Sequence, residues 1–127
     1  MKLMVYGTLK RQYGNNVLLN GAKFLGPAIT QKKYVLLNSG FPYAVTLTKD
    51  EEQFPMLPVI GEVYEINDRH LSSCDSLEGH PNWYRRNTIQ AVMETGEVEE
   101  VMIYEMNEWP EGRKLCNVVN GSYEWSR

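Results

Sequence analysis

Apolar and polar residues alternate along this chain mostly with the short period of extended strands, and only one stretch changes to the period of a helix. Lys2 to Tyr6 form an apolar run that stops at Gly7, the pattern of a buried, central strand whose C-terminal end opens into a loop. Gly14-Asn15-Asn16 and Asn20-Gly21 carry turn chemistry on either side of Val17-Leu18-Leu19, so this stretch reads as a connector with one helical turn. Three β-like runs follow, at Lys23–Thr30, Lys33–Leu37 and Ala44–Leu47, with Gly or Pro at several breaks. After the polar loop Asp50–Gln53, extended character resumes from Met56 and is clearest over Val59–Ile66, where Val63 and Tyr64 should face opposite ways.

The period then lengthens. Asn67 or Asp68 can cap a helix, Leu71, Cys74 and Leu77 recur at helical spacing, and Gly79 with Pro81 ends it. Strand alternation returns over Tyr84–Glu94, with Ile89, Ala91 and Met93 on one face. Thr95-Gly96 then turns the chain into Val98–Met106, which predicts a hairpin. The tail Glu108–Arg127, with Trp109-Pro110, Gly112 and Asn120-Gly121, should be irregular and docked by Trp109, Tyr123 and Trp125. The sum is an α+β fold, a small mixed barrel-like sheet with one main helix and no βαβ repetition.

Composition narrows the classes. A length of 127 residues suits a single domain, 1–127, since domains centre on ~100–150 residues. A net charge of -3 argues against a nucleic-acid partner, because no positive excess exists to neutralise phosphates. The N-terminal apolar run is too short for a signal peptide, and no stretch is long enough to span a membrane, so a cytoplasmic location is expected. Cys74 and Cys116 are too few for a disulfide framework and read as free thiols. No oligomeric state is encoded in a readable form.

Candidate chemistry centres on the helix end. At ~100° per residue, Glu78 falls on nearly the same side as Leu71 and Cys74, which puts a carboxylate on an apolar face. Poor solvation raises a carboxyl pKa toward neutrality, where a general acid or base works best, although a helix-end Glu often simply reaches water. Asp75 lies on the neighbouring strip. Tyr6-Gly7-Thr8-Leu9 is a strand exit whose N–H groups can form a nest for a carboxylate or oxyanion, or be a plain turn. Downstream, alternation sends Tyr84 and Arg86 to one face near the carboxylate.

Together, Val5-Tyr6-Gly7-Thr8-Leu9 and the L-E-x-x-P-x-x-Y-x-R pattern from Leu77 to Arg86 resemble the γ-glutamylcyclotransferase superfamily, most closely its γ-glutamylamine cyclotransferase and AIG2-like branch. Gly40-Phe41-Pro42 and Gly61-Glu62-Val63-Tyr64 are further landmarks, and the likeness runs from Val5 to Trp125. It implies the family's fold, Glu78 as catalytic acid/base, and the backbone of Tyr6, Gly7, Thr8 and Leu9 as the cradle for a small γ-glutamyl substrate. It further implies cyclisation to 5-oxoproline with loss of an amine or amino acid, no metal and no organic cofactor. Tyr84 is expected to help bind a substrate carboxylate, and Arg86 either to help or to be a structural ion-pair partner.

Two other classes compete. The same fold can hold a small ligand without turning it over. His70, Cys74, His80 and Cys116 have the element types of a zinc site, although only the i, i+4 pair His70 and Cys74 has suitable spacing; the alternative is solvent-facing His and core Cys. The acidic run Glu94, Glu97, Glu99, Glu100, Glu105, Glu108 and Glu111 reads as a solvated hairpin surface or a dock for a basic partner.

Overall fold

A computed structural model describes residues 1–46, 54–106 and 114–126. The sequence-based expectations for Leu47, Asp50–Gln53, Glu108, Trp109-Pro110, Glu111 and Gly112 lie outside these residues.

Five strands close into a barrel: β1 (Lys2–Val5), β2 (Lys23–Thr30), β5 (Ile60–Glu65), β6 (Arg85–Met93) and β7 (Val98–Glu105), in the order β1-β5-β2-β6-β7. Neighbours run antiparallel except at the closure, where β1 lies parallel to β7 through Leu3 and Met102. Closure removes the exposed edges that an open sheet of these strands would leave. Between β2 and β5 lie β3 (Val35–Asn38) and β4 (Pro42–Val45), which pair with each other and, through β3, with β8 (Lys114–Leu115).

Strand alternation splits the core into two layers. Met4, Ala28, Val63, Ile89, Ala91, Val101 and Ile103 come from all five barrel strands and form one buried cluster inside it, with Tyr34, Leu36, Tyr123 and Trp125 packed at its end. Leu3, Val5, Tyr64 and Tyr104 face the other way and pack with Cys74 of the helix α1 (Asp68–Glu78). Val63 and Tyr64 thus do face opposite layers. Closeness within the barrel requires Gly61, since a Cβ there would lie 2.5 Å from the Val5 carbonyl oxygen.

Helix α1 starts and stops where capping chemistry dictates. The Asn67 side chain accepts from the His70 N–H, His70 Nδ1 accepts from the Asn67 N–H, and Gly79 ends the helix at φ 66°. Leu77, although it continues the apolar spacing of Leu71 and Cys74, is exposed, and the inward stripe is His70, Cys74 and Glu78, four residues apart.

The tail is also more regular than expected. Asn117–Val119 (β9) and Ser122–Glu124 (β10) form a hairpin around Asn120 and Gly121, both at positive φ as a type I′ turn needs. Tyr123 and Trp125 are fully buried, as their aromatic character predicts. The connector before β2 becomes a short 3-10 helix, η1 (Gly14–Leu19). Among the described residues, no helix is long and apolar enough to cross a membrane.

Candidate functional site

Strand β1 ends at Val5, and the chain turns through Tyr6-Gly7-Thr8-Leu9, closed by the Lys10 N–H donating to the Gly7 carbonyl at 3.0 Å. The N–H groups of Gly7, Thr8 and Leu9 donate to no partner among the described residues. Gly7 is not at positive φ; its lack of a side chain instead admits the Pro42 ring, because a Cβ would sit 2.6 Å from Pro42 Cγ. The turn glycine is therefore a close-approach glycine. It explains why a Gly40-Phe41-Pro42 segment, turned by Gly40 at φ 83°, belongs with the first loop.

The 3-10 helix holds this loop from the other side. Asn15 Nδ2 donates to Thr8 Oγ1 at 2.9 Å, and Asn16 Nδ2 donates to the Leu9 carbonyl at 2.8 Å. In the sequence both asparagines carry the turn propensity of a connector, which masks their side-chain role in holding the first loop.

Across from the loop stands the end of α1. Tyr6, Gly7, Thr8, Leu9, Glu78 and Tyr84 line one cavity of about 290 Å³, together with Asn15, Pro42 and Tyr104. The first loop, Glu78 and Tyr84 are thus brought together, whereas Asp75 and Arg86, also singled out from the sequence, do not line the cavity. Glu78 is half-buried, and among the described residues its carboxylate forms no hydrogen bond and no ion pair. Burial alone pushes its pKa from 4.5 up to about 7.

The neighbouring polar groups are already engaged. Burial favours the neutral Asp75 carboxyl, but hydrogen bonds from Arg86 and from the Tyr104 hydroxyl, the latter at 2.6 Å, outweigh it and hold the pKa below the usual value. Asp75 is therefore a fixed anion that ties α1 to β6 and β7, and Arg86 is its ion-pair partner. Tyr84 lines the cavity and donates its hydroxyl to the Pro42 carbonyl at 2.6 Å, so its ring faces the cavity while its hydroxyl proton is engaged. The Tyr6 hydroxyl donates to the Tyr104 carbonyl at 2.5 Å, and burial, aided by nearby Tyr84 and Glu78, raises its pKa well above the usual phenol value.

The zinc-type residues occupy separate places. Cys116 packs with the barrel-interior cluster and Cys74 with the helix layer, and burial pushes both thiols up to about 12. His70 is buried rather than solvent-facing, with Nε2 2.7 Å from the Asn20 carbonyl oxygen, and His80 Nδ1 accepts from the Arg86 N–H. Among the described residues, no three His, Cys, Asp or Glu side chains group as a metal-ligand set. The acidic run is likewise not uniformly solvated, since Glu105 is buried and Glu99 pairs with Lys2.

Known proteins resemble the chain along most of its length. The family model for γ-glutamyl cyclotransferase, AIG2-like, matches residues 3–127. A protein of Methanocaldococcus jannaschii, provisionally named a γ-glutamylcyclotransferase, is 33% identical over 103 residues, covering 80% of this chain and 81% of that one. The γ-glutamylaminecyclotransferase C of Danio rerio is 30% identical over 115 residues, covering 80% of this chain and 72% of that one. The crystal structure of an AIG2-like protein from Mus musculus superposes with a TM-score of 0.72 at 26% identity, covering 87% of this chain and 79% of that one.

Proposed function

Since the chain belongs to the γ-glutamyl cyclotransferase, AIG2-like family, we propose that it converts a γ-glutamyl amide to 5-oxoproline and an amine or amino acid. The observation that carries this reading is a half-buried Glu78, unpaired among the described residues, sharing a cavity with a loop whose N–H groups find no partner among those residues.

The chemistry follows from those groups. Ionised Glu78 takes a proton from the substrate's α-ammonium, and the freed amine attacks the γ-carbonyl carbon, forming the ring C–N bond. The N–H groups of Gly7, Thr8 or Leu9 hold substrate oxygens, including the oxyanion of the tetrahedral intermediate. As the original amide C–N bond breaks, Glu78 passes its proton to the leaving nitrogen and takes the second proton from the attacking nitrogen, which becomes the lactam N–H; that second proton leaves with the amine, released as its ammonium. A pKa of about 7 lets one carboxyl perform these transfers near neutral pH. Holding the amine against its own carbonyl is the main service, as effective molarities of ~10⁵ M or more are reached by well-oriented intramolecular reactions.

A panel of γ-glutamyl compounds incubated with the wild type and with Glu78→Gln, read as 5-oxoproline by mass spectrometry, tests the reading. Release by the wild type that the variant lacks, with the variant still folded and binding the compound, is the expected outcome. Binding without release by the wild type would instead make the chain a ligand-binding module.

A further inference from the structure

The mouth of the cavity is built differently from its interior. Leu77 and Trp83 line it while remaining 37% and 43% exposed, so apolar surface stands open to solvent at this end of the cavity. The Trp83 N–H donates to the Gly79 carbonyl at 2.8 Å, and a Cβ on Gly79 would lie 3.1 Å from Trp83 Cβ, so Trp83 is seated directly on the cap of the helix that carries Glu78. Its ring meets Phe41 edge-on at 5.5 Å and Tyr84 at 5.0 Å. Phe41 is itself stacked on Tyr43 at 5.4 Å. These rings form a supported wall rather than loose surface aromatics.

Among the described residues, no Lys, Arg or His lines this cavity. Nearby cations are committed elsewhere: Lys10 donates to the Trp125 carbonyl and Arg86 pairs with Asp75. The N–H donors of the first loop suit the γ-glutamyl end, and Leu77, Phe41 and Trp83 line the same cavity as the apolar surface open to a group on the amide nitrogen.

Resting on the cyclotransferase reading above, we infer that Trp83, Phe41 and Leu77 form a leaving-group subsite that selects apolar, preferably aromatic, amines. An aromatic leaving amine removes apolar ring surface from water there, and ring-to-ring contacts add to that gain. A carboxylate on the same group would lose water without gaining a counter-charge.

Three matched substrates test it: the γ-glutamyl amides of phenethylamine, of ethylamine, and of phenylalanine, which is phenethylamine plus a carboxylate. The expected order in kcat/KM places phenethylamide at least 10-fold above both others, and Trp83→Ala collapses the phenethyl-to-ethyl ratio, mainly through KM. Calorimetric binding of the same three compounds to Glu78→Gln should show the same order without turnover. Equal or reversed preference, with 5-oxoproline still released, overturns the subsite alone; no release from any amide, with no binding to Glu78→Gln, overturns the cyclotransferase reading as well.

Discussion

Glu78 and Glu105 are both carboxylates withdrawn from water, and their surroundings are opposite. Glu105, only 3% exposed on β7, receives hydrogen bonds from Tyr34 and from Asn87 at 2.5 Å and pairs with Lys32 at 2.6 Å. Glu78, at the end of α1, faces a cavity with no such partner among the described residues. One acid is fully satisfied and serves the fold; the other keeps its affinity for a proton. Burial alone therefore does not mark a working acid, and the lack of compensating donors next to an open cavity is the distinguishing feature.

The largest expected effect separates the two by activity. Glu78→Gln should lower turnover by about 10³-fold, the usual scale of a lost general acid/base, with near-native far-UV circular dichroism. Next, Glu105→Ala should destabilise the fold by about 3 kcal/mol, because the Tyr34 hydroxyl and the Asn87 amide lose their acceptor. Urea unfolding measures it. If Glu105→Ala proves neutral and Glu78→Gln strongly destabilising, the contrast drawn here is reversed.

A third effect has a sign set by linkage. The folded-state pKa of Glu78 lies above its ordinary value, so the folded protein binds the extra proton between pH 4.5 and about 7. Stability is then lost as pH rises through that window, and Glu78→Gln escapes the loss. The variant should match the wild type near pH 4 and exceed it by about 2 kcal/mol at pH 8, after discounting for partial exposure; thermal unfolding across pH reads the difference. Turnover by the wild type should rise with pH through about 7, as ionised Glu78 becomes available. The smallest effect belongs to the third carboxylate: Asp75→Asn removes a partly exposed ion pair and should cost about 1 kcal/mol in urea, leaving the pH at which turnover rises near 7.

The strand runs, the capped helix and the β6–β7 hairpin were legible because each depends on local period and turn chemistry. Several errors share a cause, the assignment of roles by residue type alone. Leu77 continues the helical spacing of Leu71 and Cys74, yet it is exposed at the cavity mouth. His70 was expected in water, yet it completes the helix cap and reaches the Asn20 carbonyl. The turn residues Trp109-Pro110, Gly112 and Asn120-Gly121 predict an irregular tail, whereas Asn120-Gly121 instead joins two strands of three residues each, too short to show a clear alternation.

The sequence by itself determined where the chain extends, where it coils and where it breaks, since φ restrictions and side-chain period act between near neighbours. It also carried the family motifs that bracket the cavity. Tertiary structure alone decided which polar groups would be spent: Tyr84 on Pro42, Arg86 on Asp75, and Glu105 on Lys32, Tyr34 and Asn87. Those pairings join residues from different elements, and only barrel closure brings them within hydrogen-bonding reach. What closure leaves unpaired beside the first loop, among the described residues, is Glu78.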